Sequence, residues 1–366
     1  MPRTSIDGHF IGLMSGTSAD AIDAVLVRVD RHHCHLEARH SLPLDDALHD
    51  TILALNDSGA DEIDRAGALH VQLGECFADA ALTLLEHSGL RARDIVAIGS
   101  HGQTLRHRPA TGFSLQVGSA DVIASRTGIT TISDFRNRDI ALGGQGAPLV
   151  PRFHQAMLAQ GGERRVVLNL GGMANVTLLD GEQLVAGFDT GPGNVLLDAW
   201  CRQHTGARFD HDGALSRQGQ CLPALLERLL GEPYLQRPHP KSTGRELFRM
   251  DWLARQLQGH EAPEDVQATL AQFTARTVAD AINPFSPTTV LVCGGGVFNT
   301  HLLSLLTRLL PGTRITSTGE AGIDPMAVEA CAFAWLAWAH LNRVPGNAPQ
   351  VTGARRDAVL GACYPA

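Results

Sequence analysis

The sequence predicts an α/β protein whose two halves are built alike. Three observations carry this. Apolar strand-like runs alternate with helical runs along the 366 residues. Each half opens with a strand–turn–strand element bent at small residues: FIGLMSGTSADAIDAVLVRV from Phe10, and RRVVLNLGGMANVTLL from Arg164. A third element, TTVLVCGGGVFNTHLLSLLTRLL, runs strand, glycine turn and helix near the end. Two similar hairpins, each opening its half, suggest a duplicated domain. The length agrees with two domains.

Taken in order, Phe10–Met14 and Ala24–Val29 read as strands, with Val25, Val27 and Val29 alternating along the second. Helices follow over Asp45–Leu55 and Glu62–His87. DIVAIGSHG, Asp94–Gly102, is a short strand. In SLQVGSADVIASRTG, Ser119 is a helix N-cap and Asp121 sits in the first turn, where the helix dipole favours it. Ile129–Phe135 is another strand. In the second half, Arg164–Asp180 is strand, turn and strand, and QLVAGFDTGPGN is a third strand entering a bend. Helices are expected over Val195–Arg202, Cys221–Leu230 and Leu247–Gln258. TLAQFTARTVADAI places Leu270, Phe273, Thr277, Val278 and Ile282 on one helical face. AVEACAFAWLAWAHL, Ala327–Leu341, is short for a membrane span and carries Glu329, so it reads as a buried helix.

A net charge of -8 lacks the basic excess a general nucleic-acid binder needs. The seven cysteines never form a C-x-x-C pair and read as reduced thiols of a cytoplasmic protein. MPRTSIDGHFIG has no apolar core of a signal peptide, so none is expected. HHCH, His32–His35, with His40 nearby, invites a metal reading. Adjacent strand residues point to opposite faces, so a solvated hairpin tip is expected instead.

Several stretches carry chemistry. Ser15, Gly16, Thr17 and Ser18 offer backbone N–H groups and hydroxyls to a phosphate, and Asp20 and Asp23 can hold a metal ion or orient water. No GxxxxGK[ST] is present, so this is not a P-loop. Gly294, Gly295 and Gly296, followed by Asn299, sit at a strand end before a helix and permit close approach of a nucleotide. Asn299 stands where a dinucleotide fingerprint needs its last glycine, which disfavours NAD. In GFDTGPGN, Asp189 ends an apolar strand just before Gly191. It is placed either as a base acting on a bound ligand or as a turn-organising residue. His101 and Gln103 in SHGQT can hydrogen-bond a polyol or amide. Arg136 and Arg138 in DFRNRDIALGGQGAPLVP can clamp a carboxylate or belong to a surface ion-pair loop. Glu329, in an apolar helix, requires a partner or solvent and can take a sugar hydroxyl or a cation.

LMSGTSADAID, SHGQT, DFRNRDIALGGQGAPLVP, LNLGGMANVT, GFDTGPGN, HPKSTGRELF, CGGG-x-x-N and GIDPMAVEA occur in this order from Leu13 to Ala330. Together they closely resemble the 1,6-anhydro-N-acetylmuramic acid kinases of bacteria, over essentially the whole chain. The resemblance implies two duplicated RNase H-like domains around an interdomain ATP cleft, as in the acetate and sugar kinase, heat-shock chaperone and actin superfamily. It places residues 1–136 plus about 340–366 on the sugar side and 137–339 on the nucleotide side. It implies ATP and Mg2+, a small amino-sugar substrate, no nucleic-acid or membrane partner, and a homodimer whose domains close over substrate. By motif match Asp189 is the base that deprotonates water. Gly16, Thr17, Ser18, Asp20, Asp23, Gly171, Gly172, Gly191, Gly294, Gly295, Gly296 and Asn299 fall on the nucleotide. Met14, Thr17, His101, Gln103, Arg136, Arg138, Asp189 and Glu329 fall on the sugar. The magnesium ligands are not assigned beyond Asp20 or Asp23. The family's first turn usually reads G-T-S-M-D-G, and this chain departs from it at Ala19 and Ala21. An ordinary amino-sugar kinase is the competing reading. A non-enzymatic actin-like ATPase would not need SHGQT, the arginine loop and Glu329.

Overall fold

The computed structural model describes residues 5–16, 19–244 and 247–366. The chain divides into two compact units, Met1–Met157 with Ala327–Ala366, and Leu158–Met326. The sequence-based limits at 136/137 and 339/340 therefore move to 157/158 and 326/327, because the arginine–glycine loop and the late apolar helix pack within the first unit.

The strands are β1 (Gly8–Ser15), β2 (Ala21–Val29), β3 (Cys34–Pro43), β4 (Ile95–Ser100), β5 (Gln103–Arg108), β6 (Phe113–Val117), β7 (Thr131–Ser133), β8 (Arg164–Leu170), β9 (Met173–Asp180), β10 (Gln183–Pro192), β11 (Thr289–Cys293), β12 (Arg314–Ser317) and β13 (Ala362–Tyr364). In the first unit the sheet order is β13-β7-β4-β1-β2-β3, with β5 and β6 as a separate hairpin. In the second it is β10-β9-β8-β11-β12. Both sheets place their third, second, first, fourth and fifth principal strands side by side. In both, the first three run antiparallel and the next two lie parallel to the first. This repeat is the duplicated RNase H-like, mixed α/β architecture expected.

Local chemistry explains most elements. Ser119 caps its helix, its Oγ accepting from the Val122 N–H at 3.3 Å. The turn tip is residues 31–33, and Cys34 and His35 begin β3. The Asp30 carboxylate accepts from the His32 and His33 N–H groups, Cys34 turns inward, and His33 and His35 face solvent. On β2 the burial is not simple alternation. Ala24, Val25, Leu26 and Val27 are all buried, because the helix Glu62–Ser88 and the helix Val328–Leu341 both pack on this strand. Val328–Leu341 is the buried helix expected, and no helix of the described residues is long and apolar enough to cross a membrane.

Several expectations shorten or shift, the strand foreseen over Ile129–Phe135 being confined to Thr131–Ser133. The helix foreseen from Cys221 starts at Pro223, whose ring suits a first helical turn. That foreseen over Leu247–Gln258 is confined to Met250–Ala254. CGGGVFN does not open a helix directly. Gly295–Phe298 is a 3-10 turn, and the helix Thr300–Leu309 follows it, capped by the Asn299 side chain accepting from Leu302 N–H at 3.0 Å. At the departure from the family turn, Ala19 takes the left-handed conformation (φ 53°), while Ala21 lies in regular β2.

One contact fixes the first unit. Gly12 and Gly99 are paired across β1 and β4. A Cβ at Gly12 would lie 1.9 Å from the Ala330 carbonyl oxygen, and one at Gly99 would lie 2.0 Å from that of Phe333. Only residues without a side chain let the helix backbone approach this closely. We predict that Gly99→Ala destabilises the protein by about 3 kcal/mol, because backbone atoms cannot yield as a side-chain tip can. Urea unfolding checks this, and a midpoint equal to the parent's would refute it.

Candidate active site

In the first unit, β1 and β4 end beside the start of the helix Val328–Leu341. At the β1–β2 hairpin, Met14 pairs with Asp23 across the ladder, and Met14 is half-buried while Asp20 and Asp23 are exposed. The Gly16 carbonyl accepts from Ala19 N–H at 3.1 Å. Thr17 and Ser18 lie outside the described residues. Ser15 Oγ donates to Gln103 Oε1 at 2.7 Å, so the carboxamide of this buried glutamine is tied to the hairpin.

His101 follows β4, only 5% exposed, with its ring 4.7 Å from the Phe333 ring centroid. Its Nε2 accepts from Arg136 Nε at 3.2 Å and lies 2.8 Å from Arg136 Nη2. Arginine has only donors, so Nε2 is the acceptor and the imidazole proton is assigned to Nδ1. Burial, then the Arg136 charge, holds His101 well below the usual histidine range. Arg136 Nη1 donates to the Gly146 carbonyl at 2.8 Å. Gly146 N–H in turn donates to Asp139 Oδ2 at 2.8 Å, and Asp139 Oδ1 accepts from Asn347 and Thr352. Asp139 is fully buried and organises the glycine loop that carries Arg136. Sequence reasoning saw this loop for its arginines and missed its central acid.

Burial draws Arg136 down to about 10, opposed by the nearby Glu329 charge. Glu329 keeps accessible surface, yet protein atoms crowd it. That desolvation raises its carboxyl, Arg136 opposes the rise, and Asp23 adds to it. Arg136, Glu329 and Asp23 therefore share one electrostatic neighbourhood. Arg138 is exposed on the following turn, and among the described residues no side-chain hydrogen bond joins it to this cluster.

In the second unit, Asp189 is half-buried near the end of β10, opposite Asn175 on β9. The register slips between Asp189 and Gly191, a bulge that redirects the strand end. Among the described residues, three hydrogen bonds help hold Asp189. Its N–H donates to the Lys241 carbonyl at 3.3 Å, its carbonyl accepts from Tyr234 Oη at 2.8 Å, and Oδ2 accepts from Thr243 N–H at 2.9 Å. HPKSTGRELF was legible as a motif, but the contacts of its Lys241 and Thr243 with Asp189 were not.

The glycine turns serve packing as well as any ligand. The Gly171 and Gly172 carbonyls accept from the N–H groups of Asn194 and of Gly193 and Val195, so the β8–β9 tip is bonded to the bend after β10. Cβ atoms at Gly294 and Gly296 would strike Asn169 and Leu170, whereas Gly295 opens to solvent. The carboxamide oxygen of Asn299 serves as a helix cap. A cavity of about 300 Å³ lies beside Phe188 and Thr190, the two neighbours of Asp189, with Leu235, Arg237, His239 and Lys241 also in its wall.

The duplicated sheets give the chain the RNase H-like fold of the actin-like ATPase class. Residues 8–366 match the family model for anhydro-N-acetylmuramic acid kinase. The chain is 52% identical over 373 residues to the anhydro-N-acetylmuramic acid kinase of Bordetella parapertussis, covering 100% of this chain and 98% of that protein. It is 48% identical over 362 residues to the one of Nitrosomonas europaea, covering 98% and 100%. Among solved structures, component A of the Acidaminococcus fermentans (R)-2-hydroxyglutaryl-CoA dehydratase is similar with a TM-score of 0.49 and 12% identity, over 91% of this chain and 99% of that one. The chain belongs to the anhydro-N-acetylmuramic acid kinase family and is a phosphotransferase.

His101 is joined in the first unit by His154, 3% exposed, which burial lowers to about 3. Both stay neutral in the folded chain, while the unfolded chain takes up protons near pH 6.5. Stability from these groups is complete above pH 6.5 and is lost as pH falls below it. At pH 5, a histidine so shifted costs about 2 kcal/mol. We predict that His154→Gln reduces the pH dependence of unfolding free energy between pH 6.5 and 4.5 by about one proton. Equal slopes for variant and parent would contradict the assignment.

Proposed function

We propose that this chain opens the 1,6-anhydro ring of 1,6-anhydro-N-acetylmuramic acid and phosphorylates the released oxygen, giving N-acetylmuramic acid 6-phosphate and ADP. The observation that carries the proposal is the Asp189 carboxylate, held by Thr243 N–H at the end of β10. Family membership supplies the substrate class.

Asp189 takes a proton from water. The water oxygen bonds to C1 of the sugar while the C1–O6 bond breaks. O6 bonds to the γ-phosphorus of ATP as the bond to the β-phosphate oxygen breaks, and ADP leaves. Orienting the water is most of the task, since in-line displacement rewards positioning.

Within the second unit, Gly171, Gly172, Gly191, Gly294, Gly295, Gly296 and Asn299 are proposed to border the nucleotide. Of the glycines in the 294–296 turn, Gly295 has the open backbone approach. Within the first unit, Gly16, Thr17 and Ser18 are proposed for phosphate. Asp20 and Asp23 are exposed carboxylates, the hard oxygen donors that suit Mg2+ alongside phosphates and water. When bound, Mg2+ supplies charge neutralisation to the phosphates. Met14, His101, Gln103, Arg136, Arg138 and Glu329 are proposed for the sugar. His101 acts by orienting Arg136, and Arg136 is the cation assigned to the lactyl carboxylate, since Gly146 and His101 hold it in one orientation.

Cytoplasmic placement, a role in peptidoglycan recycling and a homodimer complete the reading. A sedimentation mass near the chain's 39.1 kDa would remove the dimer.

Two measurements test the chemistry. Asp189→Asn should lower kcat at least ~100-fold, the low end of what a positioned base contributes. Turnover in oxygen-18 water should place the label at C1. Unlabelled product, or turnover only on a sugar with a free 6-hydroxyl, would indicate an ordinary amino-sugar kinase. Arg136→Ala should raise KM for the anhydro sugar roughly tenfold, the scale of one charge-assisted contact. The rise should vanish with an analogue lacking the lactyl carboxylate. An equal rise for both sugars would move the carboxylate contact elsewhere.

A further inference from the structure

The Asp189 seat is more elaborate than a turn requires. Tyr234 lies in the short turn Pro233–Gln236, 2% exposed, 45 residues after Asp189. The turn is itself braced. Glu232 Oε1 accepts from Tyr234 N–H at 3.3 Å, and its Oε2 accepts from Trp252 Nε1 at 2.8 Å. The Tyr234 ring meets Phe248 edge-on with centroids 6.1 Å apart, and Phe248 meets Trp252 in the same way at 5.2 Å. The phenol thus has a fixed origin from which Oη reaches the Asp189 carbonyl.

Lys241 ties the second strap to the same platform. Its Nζ donates to the Leu235 carbonyl at 2.9 Å, lies 3.5 Å from the Tyr234 carbonyl, and sits 5.0 Å from the Tyr234 ring centroid. Its own carbonyl accepts from Asp189 N–H, and two residues later Thr243 N–H reaches Oδ2. Burial, then the Arg237 charge, lowers the Lys241 ammonium from its ordinary value. A half-desolvated cation is retained where it clamps two turn carbonyls.

We propose that Tyr234 and Lys241 are positioning residues for the reaction: together they fix the backbone of Asp189, Lys241 also anchoring the strap whose Thr243 N–H holds its carboxylate, and they act on turnover only through Asp189. This rests on Asp189 being the base. Neither residue is assigned a contact with sugar or nucleotide. Tyr234→Phe removes one hydroxyl and keeps the ring. Lys241→Met keeps the chain length and removes the cation, and Lys241→Arg restores a donor and a charge.

The experiment measures kcat and KM for the anhydro sugar in each variant, normalised to folded protein by circular dichroism. It includes Asp189→Asn and the double variant Asp189→Asn with Tyr234→Phe. Tyr234→Phe should lower kcat about fivefold and Lys241→Met about tenfold or more, with KM within twofold of the parent, and Lys241→Arg should recover part of the loss. In the double variant, Tyr234→Phe should cost nothing beyond Asp189→Asn, because a group that acts through Asp189 has nothing left to position. An independent further loss there, a rise in KM with kcat unchanged, or single variants with parental kcat would each overturn the proposal. Parental turnover in Asp189→Asn would instead overturn the base assignment, so the two failures are told apart.

Discussion

The first unit depends on a backbone-to-backbone approach. Gly12 and Gly99 lie side by side on β1 and β4 and admit the carbonyls of Ala330 and Phe333. The helix Val328–Leu341 is consequently pressed against two strand ends. Phe333 then meets the His101 ring, and Glu329 is set within electrostatic reach of Arg136 and Asp23. Had either glycine carried a side chain, the helix would stand off, and the polar cluster at its first turn would lose its geometry. The packing of an apolar helix and the placing of a carboxylate are one constraint here.

The polar side of that cluster is a chain of single hydrogen bonds. It runs from Asn347 and Thr352 to Asp139, from Asp139 to Gly146, and from the Gly146 carbonyl through Arg136 to His101. Asp139, Arg136 and the His101 Nε2 each meet complementary atoms along it, which offsets the desolvation that burial of an acid and a guanidinium imposes, while His101 Nδ1 meets none among the described residues. The imidazole stays neutral first because it is buried and then because a cation faces its acceptor nitrogen. The second unit reaches the same end differently. There a strand bulge aims Asp189, and a distant aromatic platform holds it.

Much of this was legible. Asp189 at a strand end, Glu329 in an apolar helix and the Ser119 cap are local patterns of residue type and spacing, and the structure places each in the element foreseen. The duplicated hairpins pointed to two sheets of the same order. Other features were not legible for a physical reason. Tyr234 and Thr243 are 45 and 54 residues from Asp189, and no periodicity records which distant hydroxyl or N–H will meet a carboxylate. Asp139 carries no local mark of its burial, because its partners Asn347 and Thr352 come from the C-terminal segment. The glycines of CGGGVFN suggested ligand access, while two of the three are needed for packing against β8.

The sequence by itself determined the alternation of strands and helices, the two glycine-bent hairpins, the family and the identity of the acidic and basic groups available. These depend on short-range periodicity and on motifs, which survive in one dimension. Only the tertiary structure decided where the units part, which strand faces are buried twice, which glycines carry packing rather than access, and which residues hold Asp189 and Arg136 in place. Those outcomes depend on surfaces that meet after folding, when burial removes water and each polar atom takes the partner that the fold brings within reach.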